Sequence, residues 1–473
     1  MSYWDKEYTD GFFNVSKKHG FLPIRDPLKV LPNEYKELQS LIDNLHVFQG
    51  ANTEGDELKK GVLGIPNEIV FQVEKIPDYS SFIDNETNVF VLQALYRAYT
   101  FVTSGFTLEL AYQEFLQSGN YGVARQLLPK NIALPLVLVS NKLDVYPWLD
   151  YHYSYSLGNY VKKDPLGDLN WKNLDMACKF TGTSDEIGFI MVHVYINEVT
   201  PSLVGSVMDH GQNKDVKSLQ LCGKTLEEMN RRRRDMWSAS RHERYNDFRI
   251  FIMGIKGNSN IFGDGLVYEG CFNDEPQQYR GQTGAQDSII PMIDIFSGIV
   301  DYYPDNKLTE YLLDLRTYRP KCIQNFFVDL RNYYKKNPLF NQLTDAKCYE
   351  GLVYLLKIVD EVYLFRNGHW QFVQKYIMSN TKYAFATGGT PITTWLINQI
   401  EAVLEYERVI VEHLQANYTD ELKENELWLT LRSSYSKKND LLVEQVNELK
   451  KIDYNIELVY MKNSELALED SKL

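Results

Sequence analysis

Between Leu355 and Tyr376 the apolar residues Leu355, Ile358, Val362, Phe365, Phe372 and Tyr376 recur at spacings of three and four, and His369 falls in the same stripe. That is the period of an α-helix with one buried face, so the segment commits to helix and carries an imidazole into the interior. Such a histidine has two readings: a core residue hydrogen-bonded to its neighbours, or a ligand that the helix presents to a metal-bearing cofactor. The same helical period recurs along the chain, whereas two-residue alternation and hairpin signals are scarce, so the expected fold class is all-α.

A length of 473 residues exceeds one ordinary core and calls for two or three domains. Residues 1–135 read as a small domain of helices, among them 34–45 and the long apolar stretch 88–116. Leu127 to Trp148 contains Pro129, Pro135 and Pro147 and reads as an extended linker. Residues 136–405 read as a large helical domain, in which the glycine- and proline-rich segment 254–291 is a long functional loop. Residues 406–473 read as a C-terminal helical extension. There Leu442, Val446, Leu449, Ile452, Ile456 and Val459 draw a narrow stripe, suited to packing on the chain itself or to forming a homo-oligomer.

The net charge of −13 argues against nucleic acid as a partner. Arg231 to Arg234 interrupts the acidity beside Glu227, Glu228 and Asp235. It reads as a solvated helix face of alternating charge, with an anion or partner site as the alternative. The five cysteines, Cys178, Cys222, Cys271, Cys322 and Cys348, form no CxxC pair, which fits a reducing compartment. The first ten residues are polar and acidic, unlike a signal peptide, and no apolar run reads as long enough to span a bilayer. A cytoplasmic location with no membrane partner is expected.

Among the other histidines, His210 and His242 have polar neighbours and read as exposed. His193 lies on an apolar helical face with Phe189 and Ile196, where a core role and a site role both stand open. Arg249 interrupts the apolar run Phe248 to Met253, and a buried arginine needs an anionic partner, from the fold or from a ligand. No HExxH pair, P-loop or GxGxxG is present, so zinc and nucleotide chemistry lack support.

Several segments then fall into one order: Gly20 to Pro23, Arg249 to Asn258, Asp264 to Gly270, Arg280 to Ser288, Tyr311 to Pro320, Arg366-Asn-Gly-His369 and Ala386-Thr-Gly-Gly-Thr390. Together they resemble the indoleamine 2,3-dioxygenase family over roughly residues 12–400. The resemblance implies a small and a large helical domain, with haem b in the large one, His369 as proximal iron ligand, and O2 as co-substrate. It implies that Arg366 and Asp294 pair behind the proximal face. It implies that Arg249 clamps a substrate carboxylate, that Thr387 holds the amino-acid group, that Thr283 and Gly284 line the distal pocket and haem edge, and that Phe189 packs on the indole. Animal members carry Ser where this chain has His193, whereas the related tryptophan dioxygenases carry His. They carry two adjacent Phe where it has Arg244-Tyr245, and a distal Tyr where it has His152, flanked by Tyr151 and Tyr153. A more polar distal pocket is therefore expected, with His193, His152 and Tyr245 facing substrate. The implied reaction is insertion of O2 across the indole C2–C3 bond, with L-tryptophan to N-formylkynurenine, the entry to the kynurenine pathway of tryptophan catabolism, as the leading assignment. Another indole derivative, or a non-catalytic haem or gas sensor, is the alternative.

Overall fold

The computed structural model describes residues 4, 6–49, 59–305, 307–378, 387, 392–417 and 419–438. Among the described residues helices dominate the regular structure. The N-terminal part holds α1 (Lys36–Asn44), α2 (Glu68–Glu74), α3 (Ser80–Asn85), α4 (Val89–Ser118) and α5 (Lys130–Leu143). Then follow α6 (Ser184–Asn197), α7 (Thr200–Asn213), α8 (Val216–Arg233), α9 (Met236–Ala239), α10 (Tyr245–Arg249) and α11 (Ser259–Phe262). The C-terminal half holds α12 (Ile289–Ser297), α13 (Lys307–Arg316), α14 (Lys321–Lys336), α15 (Leu339–Asp345), α16 (Tyr349–Phe372), α17 (Ile392–Ala416) and α18 (Asp420–Lys423). Strand structure among the described residues is confined to short two-stranded pairings, antiparallel for Phe48–Gln49 with Lys59–Lys60 and for Tyr160–Lys162 with Leu174–Met176, and parallel for Leu127–Leu128 with Val267–Tyr268. The all-α expectation holds.

Local chemistry sets the elements that matter. The Asn88 side chain accepts from the Phe90 amide to start α4, and Gly119, at φ 76°, ends it in the left-handed conformation that favours glycine. From Phe90 to Glu109 this helix is buried on every side, as a helix apolar all round must be. At α6, Thr183 accepts from the Glu186 amide, while the Glu186 carboxylate takes the amides of Phe180 and Thr181 at 2.8 and 2.7 Å. That anchored start fixes the helix face on which Phe189, His193 and Asn197 follow one another a turn apart. Helix α16 packs between α8 and α17. Among the described residues a buried apolar cluster reaches from Tyr8 to Leu431.

The expected extended linker is instead helix α5, with Pro135 inside it. Ile132, Ala133, Pro135, Leu136, Val139 and Leu143 are its buried face, and Asn131 donates to the carbonyls of Val73 and Ile76 at 2.9 and 2.8 Å. Tertiary burial at six positions outweighs the ~3 kcal/mol that an interior proline costs a helix. The expected domain limits at 135 and 405 fall inside α5 and α17. The segment 254–291 is the expected loop, broken only by short elements until α12 begins. His210 is 1% exposed, with its ring edge on Phe296, so the expectation of an exposed residue fails: α7 turns it towards α12. Helices α6 and α7 together, Ser184–Asn213, are long and apolar enough to cross a membrane, contrary to the expectation of no such run, and 67% of the apolar 18-residue window within that stretch is buried inside the protein. The stripe from Leu442 onward and the Gly388-Gly389 pair lie outside the described residues.

Candidate functional site

Helices α6, α8, α12 and α16 enclose a cavity of about 260 Å³. Its lining brings together Phe189, His193, Tyr245, Thr283, Gly284, Asp294, Arg366, His369 and Thr387, residues spread over almost 200 positions of sequence.

His369 comes from the last turns of α16. Its ring lies near the Phe365 ring, with centroids 6.4 Å apart. Among the described residues neither of its nitrogens has a hydrogen-bond partner. The residue is enclosed by protein but open to the cavity, and this burial, followed by the charges of Arg233 and His193, pushes its pKa down to about 4. The imidazole is therefore neutral, with a lone pair available. One turn earlier, Arg366 pairs with Asp294 of α12 at 2.6 Å and donates to the Gln399 carbonyl of α17 at 2.7 Å. Tyr303 donates its hydroxyl proton to the same Asp294 carboxylate and receives Arg366 at 3.1 Å. Burial raises the pKa of Asp294, and the Arg366 charge opposes that rise. This network ties three helices together behind His369.

Also lining the cavity, His193 puts Nδ1 at 2.9 Å from the Phe189 carbonyl. A carbonyl only accepts, so Nδ1 carries the proton and Nε2 presents a bare lone pair. Nε2 faces Gly284, where a side-chain β-carbon would stand 3.7 Å away. Burial lowers the pKa of His193, which keeps the ring neutral. Phe189 stands in an aromatic wall with Tyr245 and Tyr376, at centroid distances of 5.0 and 6.1 Å. Thr387 closes one end: its hydroxyl donates to the Gln282 carbonyl at 2.8 Å, and its own carbonyl takes the Gly254 amide at 2.8 Å. Thr283 caps the turn that carries Gly284 by accepting from the Ala285 amide.

Two expected residues are not on the wall. His152 is fully buried, with Nε2 3.1 Å from the Ser288 hydroxyl and its ring 6.1 Å from Phe13. Residues 151–155 form a wide π-helical turn, held by Asp150 accepting from the amides of Tyr153 and Ser154, and in it Tyr151 rather than His152 points to the cavity. Arg249 is 0% exposed but lies behind Tyr245: its guanidinium meets the Tyr245 hydroxyl and reaches that of Tyr121 at 3.4 Å.

The structure adds a polar set that the sequence reading missed. Tyr151 donates to Asp287 at 2.8 Å, and Asn197 donates to Asp287 at 2.8 Å and to the Tyr151 hydroxyl at 3.2 Å. All three line the cavity. The signal for Asn197 was present, since it lies four residues after His193 on the same helix; Asp287 lay unmarked inside the Arg280–Ser288 segment, and Tyr151 entered only as a neighbour of His152.

A haem as implied by the resemblance fits this donor set. A neutral imidazole with no hydrogen-bond partner among the described residues faces a largely apolar chamber.

Sequence comparison agrees with this geometry. The chain is 30% identical to indoleamine 2,3-dioxygenase 1 of Rattus norvegicus over 262 residues, 50% of this chain and 62% of the rat protein. It thus spans under two-thirds of that relative's length. It is 26% identical to indoleamine 2,3-dioxygenase 2 of Homo sapiens, covering 80% of this chain and 86% of the human one. Against the indoleamine 2,3-dioxygenase of Saccharomyces cerevisiae it is 26% identical, with 78% and 80% covered. The family model for indoleamine 2,3-dioxygenase matches residues 10–407, most of the length, and on that match the chain belongs to the indoleamine 2,3-dioxygenase family.

Proposed function

We propose that this chain is a haem-dependent dioxygenase that inserts both atoms of O2 across the C2–C3 bond of an indole, with L-tryptophan to N-formylkynurenine as the leading reaction. The observation that carries the reading is the neutral His369 imidazole, with no hydrogen-bond partner among the described residues, sharing a largely apolar cavity with His193. His369 would hold the iron, with Arg366 and Asp294 fixing the helix turn that presents it. When bound, the haem supplies the site at which O2 is activated. The chain's own residues do the rest. Phe189 and Tyr245 offer a flat aromatic wall for an indole ring, and Nε2 of His193 accepts a hydrogen bond from the indole N–H, which orients the ring without removing its proton. Both oxygen atoms end in the product, so turnover consumes no net electrons.

Another indole remains the second reading, and a specific observation favours it. Arg249 stands off the wall while the Asp287 carboxylate stands on it, an arrangement poor for a substrate carboxylate and good for an ammonium group. The test is to reconstitute the protein with haem, reduce it, and supply O2 with L-tryptophan, tryptamine or indole. Formation of N-formylkynurenine from L-tryptophan at the highest kcat/KM supports the leading reaction. A clear preference for tryptamine selects the second reading, and no ring cleavage of any of the three ends the dioxygenase reading. We also propose a reducing, cytosolic setting, since all five cysteines are free and four of them are buried.

A further inference from the structure

The arginine run at the end of α8 divides. Arg231 pairs with Glu228 at 2.6 Å on an exposed face, as expected of a solvated run, whereas Arg232 is largely covered, lies over the Tyr195 ring and pairs with Glu198 and Glu228 at 2.6 and 2.8 Å. Arg233 turns the other way and lines the cavity. Its Nε reaches the Asn230 side-chain oxygen at 3.4 Å, and its guanidinium lies 5.8 Å from the Phe365 ring centre. Among the described residues it has no carboxylate partner. It seats on Gly368, where a β-carbon would fall inside contact distance of both terminal nitrogens. Gly368 directly precedes His369, and Phe365 lies one turn before it, so the cation sits beside the imidazole on the helix that presents it. Burial pulls the Arg233 pKa down to about 10, which leaves it charged at neutral pH.

Resting on the haem reading above, we infer that Arg233 is a positioning residue of the His369 side, an uncompensated cation seated on Gly368 that biases the bound iron towards its ferrous form. Ferric iron takes one electron from a reductant to become ferrous, and the site loses one positive charge. A fixed cation close by in a low-dielectric interior therefore favours the reduced state. No side chain accepts from the His369 ring among the described residues, so nothing offsets this by making the imidazole a stronger donor. The glycine at 368 has a physical reason here: it leaves the room that the guanidinium occupies.

The test is a spectroelectrochemical titration of the haem-loaded full chain, with dithionite as reductant, for the wild type and for Arg233→Lys, Arg233→Met, Arg233→Glu and Gly368→Ala. The midpoint potential should fall for Met and fall further for Glu, while Lys stays near the wild type. Gly368→Ala keeps the charge but pushes the guanidinium aside, so it should shift the potential in the same direction by less. If Glu prevents haem uptake, the Met and Ala variants still decide. Unchanged potentials, or one equal shift for Lys, Met and Glu, would overturn the inference, the latter by making the effect one of packing. A wild-type protein without a His369-dependent Soret band would instead sink the haem reading itself.

Discussion

His193 donates its Nδ1 proton to the Phe189 carbonyl, and this one bond turns the bare Nε2 lone pair to the cavity. The two readings open at the level of sequence, core residue and site residue, thus describe two nitrogens of one ring. His193→Ser keeps a small polar group but withdraws the acceptor, so substrate binding should weaken by about 1–2 kcal/mol. N1-methyltryptophan carries no N–H and should bind the wild type poorly, and the Ser variant should narrow the gap to tryptophan. An unaltered ratio between the two ligands would leave His193 a structural residue. His210 carries a different prediction. Burial, then the Lys214 charge, with Asp215 opposing, lowers its pKa to about 4. The unfolded chain takes up that proton near pH 6.5 and the folded one only near 4. Between those values the unfolded state binds more protons, so stability falls as pH drops through the window and levels off below it. The loss is ~3 kcal/mol for this group. Urea unfolding across the window should show a shallower decline for His210→Phe than for the wild type.

Helix α16 was the most legible element, because its stripe is long, regular and interrupted by a single polar residue that the fold uses. Helix α6 was legible through the same period. Helix α5 was not: three prolines between 127 and 148 gave a strong local signal, and burial against α3 and α4 overrides it. His152 was misplaced for a related reason, since in the π-helical turn at 151–155 neighbouring side chains diverge and a shift of one residue exchanges core for cavity. The direction of Arg233 could not be read from four adjacent arginines, because only the helix phase against Gly368 selects it. The junction of α12, α16 and α17 was half legible: the Arg366–Asp294 pairing followed from the family resemblance, while Tyr303 and the Gln399 carbonyl came from the structure. Arg366→Leu leaves Asp294 buried without its cation, which costs about 3–5 kcal/mol. Its melting temperature should fall steeply, and the paired variant Arg366→Leu with Asp294→Leu should recover part of the loss. A double variant as unstable as the single one would mean that packing, not charge, holds the junction.

Over the whole molecule the remaining question is what the chain beyond α17 adds. The sequence reads it as an extension separable from the site, and its described part, up to residue 438, is docked onto the main body. Leu422, Trp428 and Leu431 are all buried, Trp428 completely. Lys438 pairs with Asp360 of α16 and lies 3.7 Å from Glu407 of α17. These anchors sit at the far side of α16 from His369, since Asp360 is nine residues earlier and does not line the cavity. The segment should therefore matter for stability and not for the ligand field at the iron. Trp428→Ala opens a cavity under the C-terminal segment and should cost about 3–5 kcal/mol. Truncation after residue 417 should lower the melting temperature at least as far, because it removes Trp428 together with Leu422, Leu431 and the Lys438 ion pair. In both proteins, kept below their melting temperatures, the Soret position and the response to His369→Ala should match those of the full chain. A Soret band displaced by truncation but not by Trp428→Ala would place residues beyond 438 against the haem side of α16, and the extension would then belong to the site.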